Sequence, residues 1–372
     1  MSDPSTVVPE VRPDLLRRVV DDGVVVWSPV APEPVALDPV SGVMLDVIDG
    51  DASVTVLARE VHEEVGIDLA LAQAQVERAV DVLGAAGALM SSRGVDAAAQ
   101  LSIDQRELFV NPCLACMAES AATMATLVVR IGGHAVGVAC DSLRAIKRLK
   151  RSLGDLADES AVDPERLGFV LTAPAGLHRN HCLNERSGFV LSDSRGIDSG
   201  LAALASHLTS LLPVAPGHVR FRATAIAGPD RLAICLYPIS LIPPLVGRTL
   251  ADAGYRRVDR LTIDVEVATG RLVPVAVPWP ELVELDAAPG HSGPEIGGSV
   301  DVVVTAAHPG MARTSRAAAV AQLASGALGG TPSEAFDAAV RLVEGATVVD
   351  VAPEPDSITA DVVAALDAAR RR

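Results

Sequence analysis

The residues whose types and spacing could do chemistry are few. Cys113-Leu-Ala-Cys116 has the spacing of a metal-ligand or redox pair, and His178-Arg-Asn-His181-Cys182 follows it downstream. Thiolates and imidazoles are the donors that tetrahedral zinc takes, so Cys113 and Cys116 with two of His178, His181 and Cys182 would make a structural zinc site. The second cluster lacks the spacing of a zinc finger. The competing reading is that the cysteines are small core residues and the histidines belong to a loop. A redox role for Cys113 and Cys116 would need a strand-then-helix context that the sequence does not supply. Ser240 and Thr249 have no neighbouring base, and His207 and His218 flank a helix and a turn as structural residues, so no catalytic residue is expected. The densest positive run is Arg144, Lys147, Arg148, Lys150 and Arg151. It reads as a helix whose charges spread over more than one solvated face, with a docking site for an acidic partner as the sharper alternative.

Phosphate chemistry is conspicuous by what replaces it. Arg222-Ala-Thr-Ala-Ile-Ala and Arg231-Leu-Ala-Ile-Cys-Leu read as two strands joined by Gly228-Pro229-Asp230, followed by Leu236-Tyr-Pro-Ile-Ser-Leu-Ile-Pro-Pro-Leu-Val-Gly-Arg-Thr-Leu. A nucleotide kinase would place Gly-x-x-x-x-Gly-Lys-Ser/Thr after the second strand, because backbone N–H groups and a lysine hold the phosphates there. This chain has Pro238, Pro243 and Pro244 instead, which have no N–H to donate, and no lysine in residues 221–280. ATP binding is therefore not expected. Asp259, beside Arg260, could still meet Mg²⁺, but it has no phosphate cradle to work with.

Composition narrows the functions further. The chain has 372 residues, room for two or three domains, and is 49% hydrophobic but only 2% aromatic, so Ala, Val and Leu must fill its interior. A net charge of -16 argues against a broad nucleic-acid footprint or an anionic membrane surface. The polar start Met1-Ser-Asp-Pro-Ser has no basic segment of a secretory leader, and the longest uncharged run, residues 232–247, is too short and proline-rich to span a bilayer. Five cysteines, an odd number, fit reduced thiols in the cytoplasm.

The elements that would position these residues fall into two groups. Residues 1–92 read as a hairpin, Gly23-Val-Val-Val-Trp-Ser-Pro with Glu33-Pro-Val-Ala-Leu-Asp-Pro, then three helices: 40–48, one capped by Ser53, and 69–83. Ala88-Leu-Met-Ser closes this α+β, winged-helix-like module. Polar, alanine-rich residues 93–107 read as a linker. Residues 108–372 alternate strands with helices and read as a larger α/β domain. Strands are expected at 126–131, 134–140, 168–171, 188–192 and 302–305, and helices at 142–153, 197–212, 315–324, 333–343 and 358–371.

Two resemblances sharpen this outline. Pro32-x-Pro-Val-Ala-Leu-Asp, Val40-x-Gly-Val-Met-Leu-Asp-Val-Ile-Asp-Gly-Asp, Ser53-Val-x-x-Leu-Ala and Val80-x-Val-Leu-x-x-x-Gly-Ala-Leu resemble the PqqD-like family, the RiPP recognition elements that capture precursor peptides. The resemblance implies that a leader peptide adds as a strand to the hairpin edge and packs on the third helix. Pro34, Val35, Ala36 and Leu37 would form that edge, and Gln75, Arg78, Ala79 and Val82 the facing helix. The second half is similar to the HPr-kinase-like fold, a P-loop-kinase-like α/β architecture, through Arg222-Ala-Thr-Ala, Gly247-Arg-Thr-Leu, Gly254-Tyr-Arg-Arg-Val-Asp and Val267-Ala-Thr-Gly-Arg-Leu-Val-Pro. Together they imply a leader-peptide recognition and scaffold protein that presents its peptide to a partner modifying enzyme, with a degenerate kinase domain. The alternatives are an atypical ATP-dependent peptide kinase and a winged-helix transcription regulator. The third helix, however, is acidic and apolar apart from Arg78, where a DNA reader would carry a run of Lys and Arg.

Overall fold

The computed structural model describes residues 7–21, 23–31, 33–90, 124–158, 167–172, 180–185, 190–195, 197–228, 231–236, 252–257, 262–273, 275, 277–279, 282, 298–306, 315–351 and 358–369. They form a mixed α/β structure with three sheets. The first is an antiparallel meander of β1 (Leu16–Val20), β2 (Gly23–Trp27) and β3 (Val35–Leu37), with Val20 opposite Gly23 and Val26 opposite Val35. The expected hairpin is β2–β3. The strand in front of it, β1, extends the sheet on the side away from β3.

Three helices follow: α1 (Pro39–Val47), α2 (Val54–Val65) and α3 (Leu69–Ala85). Each starts on an acceptor side chain. Asp38 takes the N–H groups of Val40 and Ser41, Ser53 that of Val56, and Asp68 those of Ala70 and Leu71, so the otherwise orphaned first-turn donors are satisfied. Gly66, at φ 72°, ends α2 in the left-handed conformation that glycine tolerates best. The expected closing strand is reduced to a bridge between Leu89 and Val11, reinforced by the Met90 N–H donating to the Glu10 carbonyl at 2.7 Å.

Strand alternation divides the side chains of this first sheet between two cores. Val24, Val26 and Leu37 join Met44, Leu57, Val76 and Leu83 from the three helices. Val20 and Val25 face the other way, into a core shared with Phe221 and Phe336 from the C-terminal half of the chain. Trp27 meets Phe336 with ring centroids 6.1 Å apart, Arg18 pairs with Asp337 at 2.7 Å, and Arg316 pairs with Asp21. The meander is thus an inner layer covered on both faces.

The second sheet contains β4 (Ala125–Ile131), β5 (His134–Cys140), β6 (Ala157–Asp158), β7 (Leu167–Thr172), β8 (Asn180–Glu185) and β9 (Val190–Arg195), in the order β6-β4-β5-β7-β8-β9. Gly132 and Gly133, both at positive φ, make the β4–β5 turn. Strand β5 runs parallel to β7, and the connection between them carries α4 (Leu143–Leu153). Ser142 caps α4 by accepting the Ala145 N–H at 3.3 Å. Helix α5 (Ile197–Thr209) packs with α4 over Leu127, Val129, Leu171 and the buried Trp279.

The third sheet joins β10 (His218–Ala227), β11 (Leu232–Leu236), β12 (Arg256–Arg257), β13 (Thr262–Glu266), β14 (Leu272–Val273), β15 (Val302–Ala306) and β16 (Thr347–Val351). Its β11, β15 and β16 are parallel neighbours. Helices α6 (Arg316–Ser325) and α7 (Pro332–Glu344) share one core with Phe221 and Ile234, while α8 (Ile358–Ala369) packs through Val362 and Leu366 against Cys235, Val302 and Val304. Helices on both faces are what a parallel sheet requires, since its strands are apolar on both sides. Arg220, on β10, links this sheet to the second layer. Its guanidinium makes a bidentate pair with Asp264 at 2.7 Å and donates to the carbonyls of Thr209 and Leu212, at and just beyond the C-terminal end of α5.

Candidate functional site

The expected peptide edge is a real boundary of the first sheet. Among the described residues β3 pairs with β2 and with no other strand. Its position is fixed from both ends. Asp38 starts α1 immediately after β3 through Oδ1 bonds to the Val40 and Ser41 N–H groups at 3.0 Å, and Ser41 Oγ donates to Asp38 Oδ2 at 3.0 Å. Gly42 then lets α1 close onto β2, because a Cβ there would lie 2.9 Å from Val24 Cγ2. Beneath the strand, Ala36 packs against the core that α6 and α7 share.

The residues predicted to touch a peptide divide by burial. Pro34, Leu37 and Ala79 are buried, and Leu37 and Ala79 belong to the core of the first three helices. At those positions a bound strand would meet main chain or a neighbouring side chain. Val35 and Ala36 are half-buried, as are Gln75 and Val82, and Arg78 is exposed. Gln75, Arg78 and Val82 stand at i, i+3 and i+7 of α3, on one stripe of the helix, with Ala79 at its inner margin. The surface on offer is therefore a short strand edge and a guanidinium that have no partner among the described residues, with half-buried side chains between them.

The proposed zinc donors are not brought together within the described structure. Cys113, Cys116 and His178 lie outside the described residues. His181 and Cys182 lie on β8, where the pairing sets Cys182 opposite both Thr172 and Asp193. That segment is a strand, not the loop that its polar sequence suggested. No cluster of three or more His, Cys, Asp or Glu residues able to hold a metal exists among the described residues. Cys140 and Cys235 are buried and form no disulfide. Burial, with the neighbouring Asp141 carboxylate, pushes the Cys140 thiol up to about 11, so it is not a nucleophile at neutral pH.

The proline-rich segment with Pro238, Pro243 and Pro244, where a nucleotide kinase would carry its phosphate loop, also lies outside the described residues, as do Ser240, Thr249 and Asp259. Its frame is described: β10 and β11 are an antiparallel pair, and β11 leads the three parallel strands. Near the C-terminal ends of two of them, Thr305 Oγ1 donates to Asp350 Oδ1 at 2.5 Å, a pair that sequence reasoning did not single out. His207 packs at 6.0 Å from the Phe169 ring, and burial together with the Arg222 cation lowers it to about 4, so it is neutral in the fold.

The basic run behaves differently from expectation. Arg144, Lys147, Arg148 and Arg151 line one open groove of about 750 Å³ with Leu143 and Ser152, so these four side chains share a face of α4. The signal was present in their i, i+3, i+4, i+7 spacing; only Lys150 falls off the stripe.

Comparison with family models, with curated proteins and with solved structures gave no match to the chain.

Proposed function

We propose that this protein captures the leader segment of a precursor peptide along the outer edge of β3 and presents it to a partner modifying enzyme. The C-terminal α/β layers serve as scaffold, and no catalysis belongs to the chain itself. The observation that carries this reading is a strand edge, unpaired among the described residues, whose neighbouring helix offers Gln75, Arg78 and Val82 on one stripe. An extended peptide gains main-chain hydrogen bonds from such an edge, and selectivity from side chains that meet the helix. Backing by α6 and α7 supports the reading further. A sheet held between two cores is already ordered, so little conformational entropy is lost when a strand adds to it. A partner enzyme would act at the raised local concentration of a tethered substrate. The protein would do this work in the cytoplasm. No described helix is long and apolar enough to cross a membrane.

The test is calorimetric titration of the full chain with synthetic leader peptides from any short precursor reading frame beside its gene. Binding is expected, and it should weaken at least tenfold in Ala36→Pro and severalfold in Arg78→Glu, with circular dichroism confirming the fold of each variant. Absence of binding, or affinity indifferent to both substitutions, would sink the proposal.

A further inference from the structure

The geometry points to the α4 groove as a docking site for an acidic peptide segment of a partner protein, separate from the β3 edge. Helix α4 is fixed to the sheet through Ala145, Ile146, Leu149 and Leu153, all buried, so the opposite face is held rigidly. On that face Arg144, Lys147, Arg148 and Arg151 cover about 10 Å of helix rise. Arg148 pairs with Asp198 at the start of α5 at 2.5 Å, both side chains being half-exposed. Arg144, Lys147 and Arg151 have no carboxylate partner among the described residues.

This arrangement works against the helix that carries it. Like charges three and four residues apart repel each other. Arg144 also sits in the first turn, at the positive end of the helix dipole, where α4 has no acidic residue. The helix dipole favours Arg151 in the last turn, but in a chain with 47 acidic and 31 basic residues Arg144 and Lys147, with no carboxylate partner among the described residues, are not explained by local stability. A ligand with several carboxylates removes the repulsion and faces complementary charge along the whole stripe.

The groove's other features select among anions. A volume of about 750 Å³ is far more than one phosphate fills and suits several side chains. Leu143 is 59% exposed at its edge, an apolar anchor that a peptide can use. No aromatic residue lines the groove among the described residues, so it lacks the stacking platform of a single-strand nucleic-acid site. A lipid surface is disfavoured because the apolar face of α4 is turned into the core and cannot insert.

Fluorescence anisotropy of the full chain with a labelled Glu/Leu peptide, its Gln/Leu analogue, a labelled oligonucleotide and anionic vesicles tests the assignment. The Glu peptide should bind best, and more weakly as salt rises. The triple variant Arg144→Gln, Lys147→Gln, Arg151→Gln should bind it about tenfold more weakly, since each exposed pair contributes a few-fold. Asp198→Asn, which releases Arg148, should bind it about twofold more tightly, and this holds as a test even if the triple variant fails to fold. Equal binding of the Gln analogue, an unchanged or weakened Asp198→Asn, a triple variant that folds and binds normally, or preference for the oligonucleotide or vesicles would each overturn the assignment. Loss of precursor binding at β3 would leave it standing.

Discussion

Replacing Arg220 by methionine should be the most damaging single polar change in the described structure. Arg220 is 1% exposed and uses four of its five guanidinium N–H donors, two on Asp264 and two on the carbonyls of Thr209 and Leu212. Methionine keeps much of the side-chain volume but leaves the buried Asp264 carboxylate without its counter-charge. Removing one partner of a buried pair costs about 3–5 kcal/mol. Each deserted carbonyl adds roughly 1 kcal/mol unless water reaches it. Against a total stability of roughly 5–15 kcal/mol, the variant stands near the edge of folding. Arg220→Met with Asp264→Leu should recover most of the loss, because two apolar groups leave no uncompensated charge. Urea unfolding followed by circular dichroism measures all three proteins. A single variant that shifts the midpoint by less than about 1 kcal/mol equivalent, or a double variant no better than the single, would refute the reasoning.

His207 should make the protein less stable as acidity rises. Its folded value of about 4 lies below the unfolded 6.5, so the unfolded chain binds the proton more tightly and stability falls as pH drops from about 6.5 to 4. The His207→Gln variant should show a flatter urea midpoint across that range. Cys140 and Cys235, both buried, should resist iodoacetamide in the native protein and react after denaturation, as read by peptide mass mapping. Phe336→Ala should cost about 3–5 kcal/mol, and hydrogen exchange should speed up in β1 and β2 as well as α7, because Val20, Val25 and Trp27 pack on the same core. Mg-ATP should leave the melting temperature of the wild-type protein unchanged, as expected of a chain with Pro238, Pro243 and Pro244 after β11 and no lysine in residues 221–280.

What could be read from the sequence was what local chemistry enforces. The Gly132-Gly133 turn, the Ser53 cap and the Gly228 turn between β10 and β11 all lie where side-chain type dictates backbone geometry. Strand β8 was hidden because Asn180-His-Cys-Leu-Asn-Glu has no strand pattern; pairing with β7 and β9 holds it extended. Strand β1 was less legible because Arg17 and Arg18 interrupt its apolar pattern; pairing with β2 holds it extended. At the candidate edge the strand and the helix stripe were legible. The burial of Pro34, Leu37 and Ala79 was not, because it depends on how α1 and α3 close over the sheet. The shared groove on α4 was within reach of a helical projection.

The double covering of the first sheet also constrains how this protein is made. Val20, Val25 and Trp27 emerge from the ribosome some three hundred positions ahead of Ala317, Val320 and Phe336, which cover them. At roughly 5–20 residues per second, that face of the nascent chain waits tens of seconds for its cover. During that interval it is an apolar strand surface open to chaperones or to wrong partners. A fragment ending before α6 would keep this face permanently uncovered and should aggregate, however complete its own three helices are.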